Sequence, residues 1–234
     1  MIDRRVLSVV VFLLVSLAHP LRGADITAKV VLEGAPPPNK MVNLGSDSYC
    51  VTAHKGGRMA LEQVQVGPGG TLKDTLVFVQ SGVSGAFAAP KNPVVLDQSG
   101  CHYTPHVLGL MAGQPLLIKN SDDTLHNIHP LPKVNTPFNI GMPIKGMTQT
   151  KTFSKPEGPF LVKCDVHPWM GAYIAVFSHP FFGVSDGKGQ VELRNLPAGT
   201  YTIQSWHEKY GPKFQQITVG ASERKEIVFT YKTM

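Results

Sequence analysis

The sequence FLVKCDVHPWMGAYIAVF, residues 160–177, consists of two apolar runs separated by a polar turn. In the first run, Phe160, Val162 and Cys164 occupy alternate positions and would share one face of a strand. The second run, Gly171–Phe177, is apolar and holds several residues that favour strands. The stretch therefore predicts two β-strands joined by a tight loop, which would hold the loop residues close together.

The loop between these strands carries three side chains that bind soft metals. Cys164 ends the first strand, His167 lies on the turn and Met170 begins the second strand, in the spacing C-x2-H-x2-M. A thiolate, an imidazole and a thioether are typical ligands of a soft, redox-active metal. Zinc also accepts thiolate and imidazole ligands, but the thioether favours copper.

A further imidazole is available upstream of the loop. His126 follows the apolar run PLLIK (115–119) and the turn NSDDT (120–124), and Asn127 comes directly after it. Two histidines, one cysteine and a weak axial methionine make the ligand set of a blue-copper site. His126 is therefore the candidate that completes this set.

Short strands recur along the rest of the chain. Glycine (23) and proline (19) are frequent among the 234 residues, whereas charged residues make up only 16%. This composition favours an all-β fold, and no stretch after the first 23 residues shows helical periodicity. The remaining predicted strands are 26–32, 71–80, 115–119, 190–193, 200–206, 214–219 and 226–231.

Residues 94–177 together resemble the cupredoxin family. The resemblance rests on a Pro-containing strand at 103–107, the turn at Gly113, the Asn120 turn, the pair His126-Asn127 and a metal loop as short as that of amicyanin. It implies a Greek-key β-sandwich that binds one type 1 copper ion and carries single electrons. The ligands that it implies are His126, Cys164, His167 and Met170.

The same resemblance suggests how other residues would serve the site. The amide of Asn127 would hydrogen-bond to the loop of Cys164 and tether two ligand-bearing segments. His167 would lie near the surface among apolar neighbours and pass the electron to a redox partner protein, such as a c-type cytochrome or a periplasmic dehydrogenase. The docking patch for this partner would comprise Pro130, Pro168 and Trp169.

A second resemblance lies near the end of the chain. The run GQVELRNLPAGTY (189–201) follows a hairpin turn at 186–189 and is similar to the carboxypeptidase regulatory-like domain, a small transthyretin-like β-sandwich. The segment holds four or five predicted strands, fewer than the roughly seven of a full sandwich. The strand at 26–32 either completes this sandwich or belongs to the middle of the chain.

The beginning of the chain has the features of a signal peptide. A basic start is followed by an apolar run at 6–18, which is shorter than the roughly 20 residues of a membrane span. Cleavage would follow Gly23 or Ala24, with an uncleaved anchor as the alternative. Either way, the remainder would be periplasmic or secreted, with no stable membrane span after cleavage.

These observations predict three parts of the chain. Residues 1–23 would be the signal peptide and 24–178 a cupredoxin-like copper domain with an N-terminal β extension. Residues 179–234 would be the carboxypeptidase regulatory-like β-sandwich. The net charge is +6, and Arg4, Arg5 and Arg22 against Asp3 place two of these charges in the leader. The rest is too weakly basic to indicate nucleic-acid binding.

The three cysteines indicate one disulfide bond. In an oxidising compartment two cysteines pair, and the third needs a reason to stay reduced. Metal binding gives Cys164 that reason, so we predict a Cys50–Cys101 bond. The competing pairings would leave Cys50 or Cys101 free without an evident role.

Several enzyme classes lack their motifs. The chain has no G-x-S-x-G nucleophile elbow and no C-x-x-C-H haem site. Lys163 and Asp165 flank Cys164, so no histidine links the site to a catalytic copper as in multicopper oxidases. A non-enzymatic one-electron carrier is thus the leading interpretation. The alternatives are periplasmic copper binding and delivery, and a cell-surface β-sandwich that binds a partner.

The other histidines allow a second, weaker metal hypothesis. His102 and His106 flank the Pro105 strand, and His129 lies three residues after His126. Because neighbouring strand positions alternate between faces, His129 should point away from His126. His102, His106 and His129 could then form a second metal site, whereas solvated or hydrogen-bonded histidines are the ordinary alternative.

Overall fold

The computed structural model of the chain describes residues 23–45 and 47–233. The predicted signal peptide lies outside the described residues except for Gly23. Within them the structure is all-β apart from one short α-helix and one 3-10 turn, which confirms the expected fold class. Among the helices described, none has the length and apolar character needed to cross a membrane.

The secondary structure consists of many short strands, as the turn-rich sequence predicts. The elements are β1 (Ala24–Glu33), β2 (Met41–Asn43), α1 (Ser48–Ala53), β3 (Arg58–Ala60), the 3-10 turn Pro68–Gly70, β4 (Leu76–Ser81), β5 (Val94–Gln98), β6 (Tyr103–Thr104), β7 (Val107–Met111), β8 (Pro115–Asn120), β9 (His126–Pro130), β10 (Ile140–Met142), β11 (Thr148–Thr152), β12 (Glu157–Lys163), β13 (Gly171–Phe177), β14 (Phe182–Val184), β15 (Gln190–Leu196), β16 (Gly199–His207), β17 (Gly211–Val219) and β18 (Arg224–Lys232).

Two sheets from the middle of the chain form the first β-sandwich. One sheet has the strand order β10-β9-β12-β13-β7 and the other has the order β11-β8-β5-β6. Alternate residues of both sheets meet in one core that includes Leu96, Ile118, Val162 and Ile174. The ends of β9, β12 and β13 converge at one edge of this core, and this edge carries the candidate metal ligands.

The second β-sandwich combines both ends of the described chain. One sheet has the order β15-β1-β18, and the other has the order β14-β4-β16-β17. Strand β1 therefore joins the C-terminal segment, the arrangement that the sequence left open. Strand β4, which we expected within 24–178, also pairs with β14 and β16. Sheet membership thus does not follow the expected division at residue 178, and the extent of independently folding domains stays a prediction.

Aromatic side chains join the two sandwiches. Phe78 of β4 packs on Phe177 of β13 with ring centroids 5.0 Å apart, and Phe177 stacks on Phe182 of β14 at 4.4 Å. Val107 and Ala175 extend this buried cluster. Because β7 and β13 also belong to the sheet beside the candidate metal ligands, the second sandwich packs against the sheet that carries them.

An N-terminal cap, formed by β2, α1, β3 and their connections, lies over the edge of the first sandwich. Its helix was not predicted, because six residues are too few to show helical periodicity. The helix begins at Asp47, whose side chain accepts a hydrogen bond from the Cys50 amide at 2.8 Å. Cys50 is bonded to Cys101, which confirms the predicted disulfide and attaches the cap to the sandwich.

A buried histidine should make the second sandwich sensitive to acid. His207 is 1% exposed and packs on the rings of Tyr210 and Tyr231. Burial lowers its pKa from 6.5 to about 4, with Glu208 opposing the shift and His106 and Lys209 adding to it. Below pH 6.5 the unfolded state therefore binds a proton that the folded state does not bind. Stability should fall by roughly 3 kcal/mol as the pH drops from 7 toward 4.

The variant His207→Asn tests this prediction. The Oδ1 atom of asparagine lies where Nδ1 lies in histidine and can still accept the hydrogen bond that the Lys209 amide donates at 3.1 Å, but asparagine has no charge to gain. Denaturation at pH 7 and pH 4.5 should show a smaller acid-induced loss of unfolding free energy in the variant. Equal losses in both proteins would contradict the assignment.

Candidate metal centre

Three of the four candidate ligands converge at the edge of the first sandwich. His126 begins β9, Cys164 directly follows β12, and His167 lies on the loop before β13. One potential ligand atom from each of the three side chains lies within 4.8 Å of the others. All three side chains are buried, so water does not satisfy their polar atoms.

The fourth candidate, Met170, closes the loop. It is 1% exposed and belongs to the same core as Cys164. The Cys164 amide donates to the Met170 carbonyl at 3.2 Å, and the Met170 amide donates to the His167 carbonyl at 2.9 Å. These bonds fold the C-x2-H-x2-M segment into the tight turn that its sequence predicts. The backbone of Met170 therefore lies beside the backbone of Cys164.

Each histidine has a carboxylate at its Nε2 atom. His126 Nε2 lies 2.9 Å from an oxygen of Asp122, and His167 Nε2 lies 3.1 Å from an oxygen of Asp47. Because an ionised carboxylate only accepts hydrogen bonds, both Nε2 atoms are assigned as donors. Carboxylates commonly orient metal-binding histidines in this way.

The remaining ring nitrogens face each other. Nδ1 of His126 and Nδ1 of His167 are 2.9 Å apart, and Cys164 Sγ lies 3.9 Å from the latter. Since both Nε2 atoms carry protons, one further proton between the Nδ1 atoms satisfies both lone pairs. Two imidazole lone pairs and a thiol directed at one buried point fit a metal cation, which would replace that proton.

Hydrogen bonds favour the ionised form of the thiol. Burial raises the pKa of Cys164, but polar contacts with the His126 and His167 side chains outweigh it, and the pKa falls from 9.0 to about 6. The backbone amide of His167 also points at Sγ, with an N–S distance of 3.4 Å. The folded protein therefore stabilises the thiolate that a metal would bind.

The contact between Asp122 and His126 raises the pKa of the histidine and lowers the pKa of the carboxyl group. Burial lowers the pKa of His126, but its bonds to Asp122 and Cys164 prevail and raise it from 6.5 to about 9. Burial likewise raises the pKa of Asp122, while bonds from His126, Cys101 and Gly100 lower it to about 2. At neutral pH the site thus contains a negatively charged Asp122 facing a positively charged ring.

Asn127 ties the two ligand-bearing segments together. Its Oδ1 atom accepts hydrogen bonds from the amides of Asp165 at 2.6 Å and Val166 at 3.3 Å, and it lies 3.3 Å from Cys164 Sγ. Tyr103 donates to the Asn127 carbonyl at 2.5 Å and to the Lys163 carbonyl at 3.1 Å. The expected tether is therefore present, and a buried tyrosine strengthens it.

The cap covers His167, so this residue does not have the apolar surroundings near the surface that the resemblance implied. His167 is 2% exposed, with Asp47 on its Nε2 atom and Cys50 Sγ 3.8 Å from the same atom. Tyr49 of the cap donates to Asp122 at 3.0 Å, which links the cap to both histidines.

The expected docking patch is also only partly exposed. Pro130 is buried and Trp169 is half-buried, whereas Pro168 is exposed. The ring of Trp169 lies on His167 with centroids 5.0 Å apart, and its indole N–H donates to the Cys101 carbonyl at 3.1 Å. Trp169 is therefore a partly exposed aromatic residue whose ring contacts the candidate ligand His167.

The three other histidines do not come together. His129 faces Asp165 at 2.8 Å, on the opposite side of β9 from His126, as strand alternation predicts. His106 pairs with Glu208 of the second sandwich, and His102 donates from Nδ1 to the Gly100 carbonyl at 3.1 Å. Among the residues described, no cluster of metal-binding side chains includes any of them.

Sequence reasoning missed the carboxylates behind the histidines. The sequence position of Asp122 could have indicated its role, because it lies four residues before His126 in the turn NSDDT. No feature of the sequence indicated a role for Asp47 or Tyr49, because about 120 residues separate them from the loop that they cover.

In comparisons with known proteins, several solved structures resemble part of the chain. No protein-family model matches the chain, and no curated protein matches it in sequence. The copper-containing nitrite reductase of Thermus scotoductus SA-01 is 27% identical over 43% of this chain, with a TM-score of 0.33. This chain spans only 26% of that enzyme.

Two smaller proteins are matched over nearly their whole length. A purple cupredoxin of Nitrosopumilus maritimus is 20% identical over 36% of this chain and 98% of its own, with a TM-score of 0.31. A mutant of amicyanin in its Cu(I) form is 21% identical over 43% of this chain and 98% of its own, with a TM-score of 0.33. TM-scores of this size carry no functional argument, so the site must be judged on its own residues.

Proposed function

We propose that this protein is an exported carrier of single electrons that binds one type 1 copper ion through His126, Cys164, His167 and Met170. The observation that supports this most strongly is the pair of buried Nδ1 atoms 2.9 Å apart beside the Cys164 thiol. Copper would supply the change between two oxidation states. The chain supplies a thiolate, two oriented imidazoles and a thioether, the ligand set typical of blue copper.

The surroundings of the ligands favour electron transfer over a reaction at the metal. Asp47 and Asp122 fix the two imidazoles, and Asn127 fixes the loop of Cys164. A site held in this way needs little rearrangement when its charge changes. The cap excludes water from His167, which is 2% exposed.

We propose that the partner is a redox protein outside the cytoplasm, either a c-type cytochrome or a periplasmic dehydrogenase. The disulfide supports an oxidising compartment. Because His167 is covered, we infer that electrons leave through Trp169, whose half-buried ring contacts His167.

Titration of the metal-free protein with Cu(II) tests the proposal. We expect saturation at one equivalent, an intense visible absorption band and a release of protons, since a metal would replace the proton between the histidines. Binding without an intense band would refute a type 1 site. Zinc should bind without colour and serves as a control for the fold of the loaded protein.

The axial ligand should set the reduction potential. Met170→Leu removes a neutral sulfur donor that stabilises Cu(II) more than Cu(I), so the potential should rise while the colour persists. We expect a rise of the order of 60 mV, which is about a tenfold change in the relative affinity for the two oxidation states. Voltammetry measures it directly.

The matched control is Met147→Leu, because Met147 packs against the same core but is not a candidate ligand. Its potential should match that of the unmodified protein. A potential that falls in Met170→Leu, or equal changes in both variants, would show that Met170 is not the axial ligand.

A further inference from the structure

A cavity lies next to Trp169. Its volume is about 120 Å³, and its walls come from the cap, the first sandwich and the turn after β16. Met59 and Leu61 of the cap segment and Leu161 of β12 line it with apolar surface, and Trp169 and Tyr173 add two aromatic rings. This volume is somewhat below that of an engineered apolar cavity of about 150 Å³ that binds benzene, but the cavity opens to solvent on one side, so a single aromatic ring can enter it with one edge at the mouth.

Polar groups define the rest of the cavity. His106 and Glu208 form an ion pair whose side chains are only 12% and 10% exposed, and His102 also lines the cavity. His102 donates from Nδ1 to the Gly100 carbonyl, which leaves Nε2 of its neutral form as a proton acceptor.

The charges around the cavity favour an uncharged ligand. The charges of His106 and Glu208 compensate each other, and Glu62 adds a further carboxylate to the lining. This excess negative charge would repel the carboxylate of an aromatic acid. Hydroxyl groups, in contrast, could donate to His102 or to the carboxylate of Glu208 without bringing a charge into the cavity.

The cavity also touches the route that the electron would take. One face of Trp169 contacts His167 at a centroid distance of 5.0 Å, and the same residue lines the cavity. A ligand in the cavity is therefore separated from a candidate metal ligand by one indole ring.

We propose that this cavity binds a small, uncharged phenolic ring of the hydroquinone class, which donates electrons to the metal centre through Trp169. The inference rests on the proposed function. In the first transfer the hydroquinone loses one electron to the oxidised centre and one O–H bond breaks, which leaves a semiquinone; the proton passes to Nε2 of His102, which releases it to solvent. A partner of the c-type cytochrome class removes the electron from the reduced centre, and a second transfer of one electron and one proton by the same route gives the quinone.

Binding to the full, metal-free chain is the first test. Calorimetry with 1,4-hydroquinone under anaerobic conditions should show saturable binding at one site, and benzoate should not saturate. Leu61→Trp fills the cavity from its cap side and should weaken hydroquinone binding at least tenfold. Val228→Trp adds the same ring at a site that is 49% exposed on β18 and should leave the affinity unchanged.

A second filling variant, Met59→Trp, guards against a fold defect in Leu61→Trp, and thermal melting of both variants checks the fold. Absence of saturable binding to the unmodified protein would overturn the proposal. Equal affinity in both filling variants and the unmodified protein would overturn it as well.

Reduction of the copper-loaded protein is the second test. The rate of colour loss should depend hyperbolically on hydroquinone concentration and should fall at least tenfold in Leu61→Trp, whose visible spectrum should be unchanged. A rate that rises linearly and equally in both proteins would overturn the role of the cavity. If hydroquinone binds the metal-free protein but copper gives no intense band, the proposed function and the donor role fail, and only the aromatic site is retained.

Discussion

Replacement of Cys164 by serine should abolish the intense visible band of the copper-loaded protein. The band belongs to charge transfer from a thiolate, and serine offers a hydroxyl that stays protonated where the thiol pKa is about 6. Copper affinity should fall as well, because only the imidazoles and the thioether stay in place. Absorption spectroscopy during copper titration measures both effects.

The fold should survive this substitution. Serine is close to cysteine in size, and its hydroxyl can donate a hydrogen bond to Oδ1 of Asn127, which lies 3.3 Å from Cys164 Sγ. Ala172→Ser is a suitable control, since it adds a hydroxyl at another fully buried position of the same core and should keep the band. An intense band in Cys164→Ser would reject Cys164 as the ligand.

Removal of the disulfide should cause the largest loss of stability. Cys50 and Cys101 are 51 residues apart, and the chain-entropy model gives about 4 kcal/mol for a loop of this length. The double variant Cys50→Ala, Cys101→Ala should lower the unfolding free energy of the metal-free protein by about this amount. Urea denaturation measures it, and no new free thiol complicates the refolding.

The same variant should loosen the cap over His167. Removal of copper by a chelator should become at least tenfold faster, because α1 would lose its covalent attachment. Thr52→Ala is the matched control: it keeps the disulfide and removes only the hydrogen bond that Thr52 donates to the Ser48 carbonyl within α1, so copper removal should not become faster. If the disulfide-free protein matched the unmodified one in both measurements, the cap would not depend on the bond.

The local chemistry of the site was predictable because it is local in sequence. Cys164, His167 and Met170 lie on one short turn, and strand alternation alone separates His126 from His129. The disulfide followed from an odd number of cysteines and from one of them having another role. For the loop and the strand, the spacing of residues was enough, because the backbone geometry of a turn or a strand acts over a few residues. For the disulfide, the number of cysteines was enough, because all of them meet the same oxidising conditions.

The environment of the site was not predictable in the same way. The cap has only 3-residue strands and a 6-residue helix, so no period marks it, and its position depends on contacts with residues far along the chain. The resemblance placed His167 near the surface, and the cap, which the resemblance does not include, buries it. The pairing of β4 with β14 and β16 likewise depends on tertiary packing and not on the pattern within β4.

Strand β1 has a consequence for the order in which the protein can assemble. It pairs in parallel with β18, from Asp25 opposite Arg224 to Glu33 opposite Lys232, so its partners lie about 200 residues away. During synthesis β1 has no partner strand in its sheet until β15 is made, and its other edge stays unpaired until β18, the last strand, follows. Contacts this distant in sequence slow folding, and an unpaired strand edge invites wrong pairing. The first sandwich, whose strands all lie between 94 and 177, can complete its sheets before the second can close.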